Sequence, residues 1–260
     1  MLYPKLGRTR RVLFLDELRG VCLILMILYH AAYDLNFLFG VDLPFYSAPF
    51  AAVQLFICCN FIFISGISSR FSRNNLKRGL VVFAIAMAMT AVTYFFMPQQ
   101  TVRFGVLHLL GVCMILHGVI YSPKGVTKRS PLLGLLVCLL VFAFTWGVSR
   151  HYVGFLGLYQ IPLPSVLYTQ YFLFPLGFPT PDFASSDYFP LLPWMFLFFA
   201  GSFLGVAFRE GNAPGFFYRS RSRTLQWMGR RTLPIYVLHQ PVLYGILYLF
   251  FLGLEKAGLR

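Results

Sequence analysis

The chain has 260 residues, of which 58% are hydrophobic and 18% aromatic while 12% are charged, and its mean hydropathy of +0.70 lies outside the range of soluble globular domains. The net charge of +14 does not indicate nucleic acid, because Lys and Arg sit in short clusters between apolar runs instead of forming one basic stripe on a soluble surface. The composition is that of an integral membrane protein whose basic residues are placed by membrane topology.

A helical span needs about 17–25 mostly apolar residues. Seven such stretches are predicted, at 20–40, 47–68, 79–97, 104–121, 131–148, 189–208 and 232–252. The expected fold class is therefore an all-α integral membrane protein, a polytopic helical bundle of about seven transmembrane helices with a long outer loop, in a single domain over 1–260. Most basic residues fall on one side of these spans: Lys5, Arg8, Arg10 and Arg11; Arg70, Arg73, Lys77 and Arg78; Lys124, Lys128 and Arg129; and the run from Arg209 to Arg231. Arg103, Arg150, Lys256 and Arg260 fall on the other, with Arg19 at a boundary. By the positive-inside rule the N-terminus is expected in the cytoplasm and the C-terminus outside, in a multi-pass protein of the cell membrane.

The uncharged stretch 152–178 is long enough to span, but Pro162, Pro164 and Pro175 interrupt it, and an extra span would put the Arg209–Arg231 cluster outside. It is read as an outer loop lying on or dipping into the membrane, with a re-entrant or spanning segment as the alternative. The basic N-terminus resembles a signal peptide, yet Asp16, Glu17 and Arg19 interrupt the run and no small-residue cleavage site follows, so the first span is expected to be retained. Cys22, Cys58, Cys59, Cys113 and Cys138 all lie in predicted spans without metal-ligand spacing, and neither disulfides nor a metal are expected.

The polar residues inside these spans carry the functional reading. On a helix the step from Arg19 to His30 returns to within about 20° of the same direction while rising ~16 Å. Asp34, four residues past His30, shares that face and can accept a hydrogen bond from the imidazole. Arg19, His30 and Asp34 thus form a polar seam with a cation at the entrance, a base near mid-membrane and an orienting acid. An ionisable residue at that depth is costly and usually faces a cavity, although a buried neutral histidine tying two helices together accounts for any one of them alone. His108 and His239 are further candidates inside spans, His117 a weaker one, and His151 is expected in solvent. The aromatic outer loop, with Asp182 and Asp187, can receive a sugar or anchor at the membrane interface. Arg70, Arg73, Lys77 and Arg78 and the Arg219–Arg231 cluster can hold phosphates, or serve as orientation signals and anionic-lipid contacts.

The segments LDELRGVCLILMILYHAAYDLN, FISGISSRFSR, VRFGVLHLLGVCMIL, SSDYFPLLPWMFLFFAGSFLG and YVLHQPVLYG resemble, in this order and over nearly the whole chain, the bacterial branch of the heparan-α-glucosaminide N-acetyltransferase catalytic-domain family, within the transmembrane acyltransferase superfamily. Arg19 and His30 also match the R-x10-H motif of the acyltransferase-three membrane family. The resemblance implies acetyl-CoA as acyl donor from the cytoplasm, a histidine in the membrane and an extracytoplasmic glycan acceptor. It implies His30 at the motif histidine and Arg19 at the motif arginine, with Asp34, His108, Asp187, Trp194 and His239 as polar or shaping groups of the cavity. In the animal branch the residue matching His30 is an asparagine and the catalytic histidine follows in the first outer loop, where this chain has FGVDLP. Either His30 takes the catalytic role or acetyltransferase activity has been lost.

The expected activity is acetyl transfer to a sugar amine or hydroxyl. Arg19, Arg70, Arg73 and Arg78 hold the CoA phosphates, His30 is general base or acyl acceptor, and Asp34 stabilises the imidazolium. The expected partners are membrane lipids, acyl-CoA and the glycan, without nucleic acid, and a homo-oligomer is compatible with the sequence. The alternatives are a non-enzymatic proton-coupled small-molecule transporter using His30 and Asp34 as a relay and a purely structural membrane partner.

Overall fold

A computed structural model describes residues 11–121, 130–155, 158–211 and 213–257. Lys5, Arg8, Arg10, Lys124, Lys128, Arg129 and Arg260 lie outside the described residues. The elements in chain order are α1 (Leu13–Phe37), α2 (Ala48–Ser69), α3 (Asn75–Phe96), α4 (Val106–Ile120), α5 (Pro131–Phe144), the strands β1 (Tyr152–Phe155) and β2 (Tyr159–Pro162), then α6 (Leu191–Arg209), α7 (Arg223–Arg230) and α8 (Thr232–Lys256). The protein is a mostly helical membrane protein. Among the described residues, five helical segments are long and apolar enough to cross a membrane: Ala48–Ser69, Asn75–Phe96, Pro131–Arg150, Leu191–Arg209 and Thr232–Lys256. The expectation of seven spans therefore rests on two more. α1 has 25 residues but carries Asp16, Glu17 and Arg19 in its first turns. α4 has only 15 residues, about 22 Å of helix against a hydrocarbon core of about 30 Å.

The chain divides into two compact units, Met1–Phe61 with Ala213–Arg260, and Ile62–Asn212. In the first unit α1 docks on α7 at backbone distance. Added side-chain carbon at Gly20 would run into the backbone of Leu225, and at Gly229 into that of Asp16, so both contacts require glycine. The acidic pair of α1 fastens the contact. The Glu17 carboxylate accepts from the Arg221 amide at 2.6 Å, the Ser222 amide at 3.0 Å and Gln226 Nε2 at 2.9 Å. Ser222 in turn caps α7, accepting from the Leu225 amide. Asp16 pairs with Arg11 at 2.7 Å, Arg19 at 3.3 Å and Arg230 at 3.7 Å. Beyond these polar contacts the core of the unit is Cys22, Leu23 and Met26 of α1 with Ile57 and Phe61 of α2, covered by Met228, Ile235 and Tyr236.

Burial opposes the charge of Glu17, but the Ser222 and Arg221 amides, the Gln226 amide and the Arg221 guanidinium outweigh it and hold its carboxyl below the ordinary 4.5. A depressed carboxylate pKa contributes stability that is full above the unfolded value and is lost as pH falls through the folded one. Glu17→Ala takes the acceptor from the Arg221 and Ser222 amides, each costing about 1–3 kcal/mol when left unpaired, while Gln226 Nε2 keeps Ser220 Oγ; it is expected to lower the thermal midpoint in detergent markedly at neutral pH. The gap between variant and parent should narrow once the pH falls below 4.5. An unchanged midpoint would mean that Glu17 does not hold α7.

In the second unit helices again meet through glycine. Gly79 of α3 abuts Ile115 and the Gly111 carbonyl on α4, Gly111 abuts Phe83, and Gly118 abuts Leu76. In the GSFLG run of α6, Gly201 lies against the backbone of Phe63 and Gly205 against that of Ile67, while Gly66 faces the Phe198 carbonyl. This is the small-residue spacing by which membrane helices gain packing when water supplies no hydrophobic drive between them. The complement is an apolar exterior: no residue of α8 is buried, and Leu238, Val242, Ile246, Leu249 and Phe250 are exposed, which suits lipid and would be an aggregation surface in water.

Between α5 and α6 the described residues contain no α-helix. The stretch expected as an outer loop folds into the antiparallel hairpin β1–β2, with Val153 opposite Ile161 and Gly154 opposite Gln160, and two 3-10 turns, Ser165–Tyr168 and Tyr171–Leu176. Gly154 has φ +144°, a conformation that a side chain would strain. The Tyr168 hydroxyl donates to the Val148 carbonyl, and exposed His151 stacks on the Tyr168 ring at 3.6 Å.

Candidate active site

Four side chains converge in the first unit. His30 and Asp34 share a face of α1, as their spacing predicts. The His30 ring lies 4.9 Å, centroid to centroid, from that of His239 on α8. Asp34 is fully buried, and its Oδ1 accepts from Gln240 Nε2 at 2.7 Å. The sequence pairs Asp34 with His30; among the described residues the hydrogen bond to Asp34 comes from Gln240 instead. Gln240 is the residue the sequence reading missed. Its signal is its place in HQP, next to His239 and before Pro241, which cannot donate the helical hydrogen bond back to the Val237 carbonyl.

The hydrogen-bond roles follow from the chemistry of the partners. A carbonyl only accepts, so His239 Nδ1 carries a proton and donates it to the Tyr236 carbonyl at 2.5 Å. In the neutral ring Nε2 then holds a lone pair. That Nε2, Asp34 Oδ2 and Gln240 Oε1 are buried and meet no hydrogen-bond partner among the described residues. Buried polar atoms are nearly always paired, and the unpaired Asp34 Oδ2 and Gln240 Oε1, on side chains bonded to each other, with the unpaired His239 Nε2 on the adjacent residue of α8, suit a group that donates hydrogen bonds or gives up a proton.

Arg19 lies a little over three turns before His30, with its Nη1 3.3 Å from Asp16 Oδ1 and its side chain 19% exposed. It therefore belongs to the ion-pair network that joins α1 to α7.

In the second unit, Arg70 follows α2 directly. Its Nε donates to the Ser202 carbonyl at 3.0 Å, its guanidinium lies 4.1 Å from the Tyr121 ring centroid, and its Nη2 is buried without a partner. Burial draws its pKa below the usual arginine value while Tyr121 pulls the other way; an arginine remains charged in either case. Beside it His117 is bonded on both ring nitrogens, to Asn75 at 3.0 Å and Ser202 Oγ at 2.9 Å, a structural role consistent with its weaker candidacy. Arg73 and Arg78 are exposed.

His108 and Asp187 meet at the start of α4. His108 Nδ1 accepts from the Gly105 amide at 3.1 Å, and its Nε2 lies 3.1 Å from Thr90 Oγ1, whose proton goes to the Val102 carbonyl. Both nitrogens of His108 are thus engaged. Asp187 Oδ2 accepts from the Val106 amide at 3.0 Å and caps α4 in place of Gly105, which has no side chain. Burial pushes the Asp187 carboxyl up to about 6, with the Val106 amide pulling it down. The adjoining Phe104–Tyr188 bridge places the start of α4 two residues after the start of the predicted fourth span. Trp194 packs in an aromatic cluster with Phe142, Trp146 and Phe189 at 5.6, 5.4 and 5.0 Å.

Apolar helices, glycine-mediated contacts and a half-buried histidine pair beside a buried, incompletely bonded carboxylate define a polytopic membrane protein with polar chemistry inside a helical unit. The family described as heparan-alpha-glucosaminide N-acetyltransferase, catalytic, matches residues 11–241. The chain belongs to that family of membrane acetyltransferases, and the match includes every candidate residue named above. No curated protein and no solved structure matches the chain.

Proposed function

We propose that the protein is a membrane-embedded acyltransferase that moves an acetyl group from cytoplasmic acetyl-CoA to an amine or hydroxyl of an extracytoplasmic sugar, in a cell membrane with its N-terminus inside. The observation that carries this reading is the set of unpaired acceptors beside His30: His239 Nε2, Asp34 Oδ2 and Gln240 Oε1. A sugar amine or hydroxyl brings the donors these atoms lack.

Acetyl-CoA supplies the acetyl group as an activated thioester. The buried Nη2 of Arg70, unpartnered among the described residues, fits a phosphate oxygen, and Arg73 and Arg78 of the same unit add positive charge for it; Arg19 of the first unit is a separate phosphate contact of this reading. His30, with His239 against its ring, takes the proton from the acceptor nitrogen or oxygen as that atom becomes a nucleophile. Asp34 balances the imidazolium charge, while Gln240 holds Asp34 Oδ1 and leaves Oδ2 for the acceptor. His108, Asp187 and Trp194 shape the second unit.

The test is acetyl-CoA-dependent release of CoA thiol by the protein in liposomes, across a panel of amino sugars and envelope glycans. Release that depends on one acceptor class and is lost in His30→Ala supports the reading. Proton-gradient-driven uptake of a small molecule without thiol release would move the protein to the transporter class.

A further inference from the structure

The Arg219–Arg231 cluster contains a built cavity that acetyl transfer does not use. α7 has two faces. Gln226 and Gly229 turn to α1, where they meet Glu17 and Asp16. Arg223, Trp227 and Arg230 recur at helical spacing on the other face. With Ser220, Gln226 and Arg231 they line a cavity of about 350 Å³, toward the lower end of ligand pockets, about 300–1,000 Å³.

Its lining contains three guanidiniums and no carboxylate. Arg230 is already shared with Asp16 and Gln226, but Arg223 and Arg231 make no ion pair among the described residues. Arg231 stands 4.6 Å from the Trp227 ring centroid, and Trp227 is 52% exposed. The residue after Arg231 begins α8, one of the apolar segments able to cross a membrane. A Trp and arginines at the first turn before a span sit at the headgroup level of a bilayer, where the anion available is a lipid phosphate.

We infer that the cavity of Arg223, Trp227, Arg230 and Arg231 binds the phosphate of an anionic phospholipid headgroup. The guanidiniums of Arg223 and Arg231 donate to its oxygens and the Trp227 indole lies at the glycerol level. This site is independent of the acetyl-transfer reading.

The test is native mass spectrometry of the full chain released from detergent with phosphatidylglycerol or phosphatidylcholine. The parent should retain phosphatidylglycerol preferentially. Arg223→Gln with Arg231→Gln should reduce that retention about tenfold or more, since each surface arginine contributes about a fivefold factor toward anionic lipid. Arg103→Gln with Arg150→Gln, an equal loss of charge elsewhere, should leave most of it. Trp227→Ala, which keeps every charge, should weaken retention severalfold and serves if the arginine variant fails to fold. Equal retention of phosphatidylglycerol by the α7 variants and the parent overturns the inference. So does displacement of the lipid by millimolar inorganic phosphate or CoA, which would assign the cavity to a soluble phosphate ligand.

Discussion

His30→Ala is expected to lower acetyl transfer by about 10²–10⁴-fold, the usual worth of a general base, while leaving acetyl-CoA binding near the parent value. The separation follows from position. His30 lies against His239 in the unit that also contains Asp34 and Gln240, and its imidazole is not among the groups proposed to hold phosphate. His239→Ala should act in the same direction, because it removes a ring nitrogen whose lone pair is buried and, among the described residues, unpaired. If the two histidines work as a unit, the double variant should be little worse than either single one, as for groups that act together in one step. Additive losses would assign them separate tasks. Loss of transfer in Asp34→Ala with full activity in His30→Ala would overturn the role given to His30.

Gly201→Leu is expected to prevent stable folding. A Cβ at this position runs into the carbonyl of Phe63, a backbone atom that cannot turn aside, so α6 must move off α2 and its contacts with it. Overpacking against side chains costs about 1–3 kcal/mol, and a clash between helix backbones should exceed that, enough to consume much of the stability of a domain. Gly245→Ala is the control. Nothing lies within 4 Å of a Cβ built there, and replacing a helical glycine by alanine gains up to about 1 kcal/mol. The measurement is the thermal midpoint and monodispersity in detergent; a folded Gly201→Leu with the parent's midpoint would refute the close α2–α6 approach.

The membrane character and most helices were legible because long apolar runs between basic clusters leave few other solutions. α2, α3, α6 and α8 fall within a few residues of the predicted spans. α4, Val106–Ile120, also falls within two residues of its predicted span; what was not legible is the carboxylate at its start, because Asp187 reaches the Val106 amide from some eighty residues away, a contact no periodicity announces. Nor was α7: an eight-residue helix inside a basic connection reads as charge alone, although Ser222 before TLQWMGR is an N-cap signal. At the candidate site the helical spacing of His30 and Asp34 gave their common face. The partner of Asp34 could not be read in the same way, because α8 supplies Gln240 from about two hundred residues further along the chain. The Asp16 carboxylate beside Arg19 was likewise not read from the sequence, where Arg19 pointed only to an anion-binding entrance.

The measurement that tests the central claim most directly is calorimetric binding of CoA and acetyl-CoA to the purified, folded protein, with Arg70→Ala and His30→Ala in parallel. The account predicts binding by the parent, weakening of about ten- to a hundredfold in Arg70→Ala from the loss of one charge-assisted contact of about 1.5–3 kcal/mol, and retention in His30→Ala. A folded parent that binds neither ligand would contradict the acetyl-CoA-dependent function proposed for this chain.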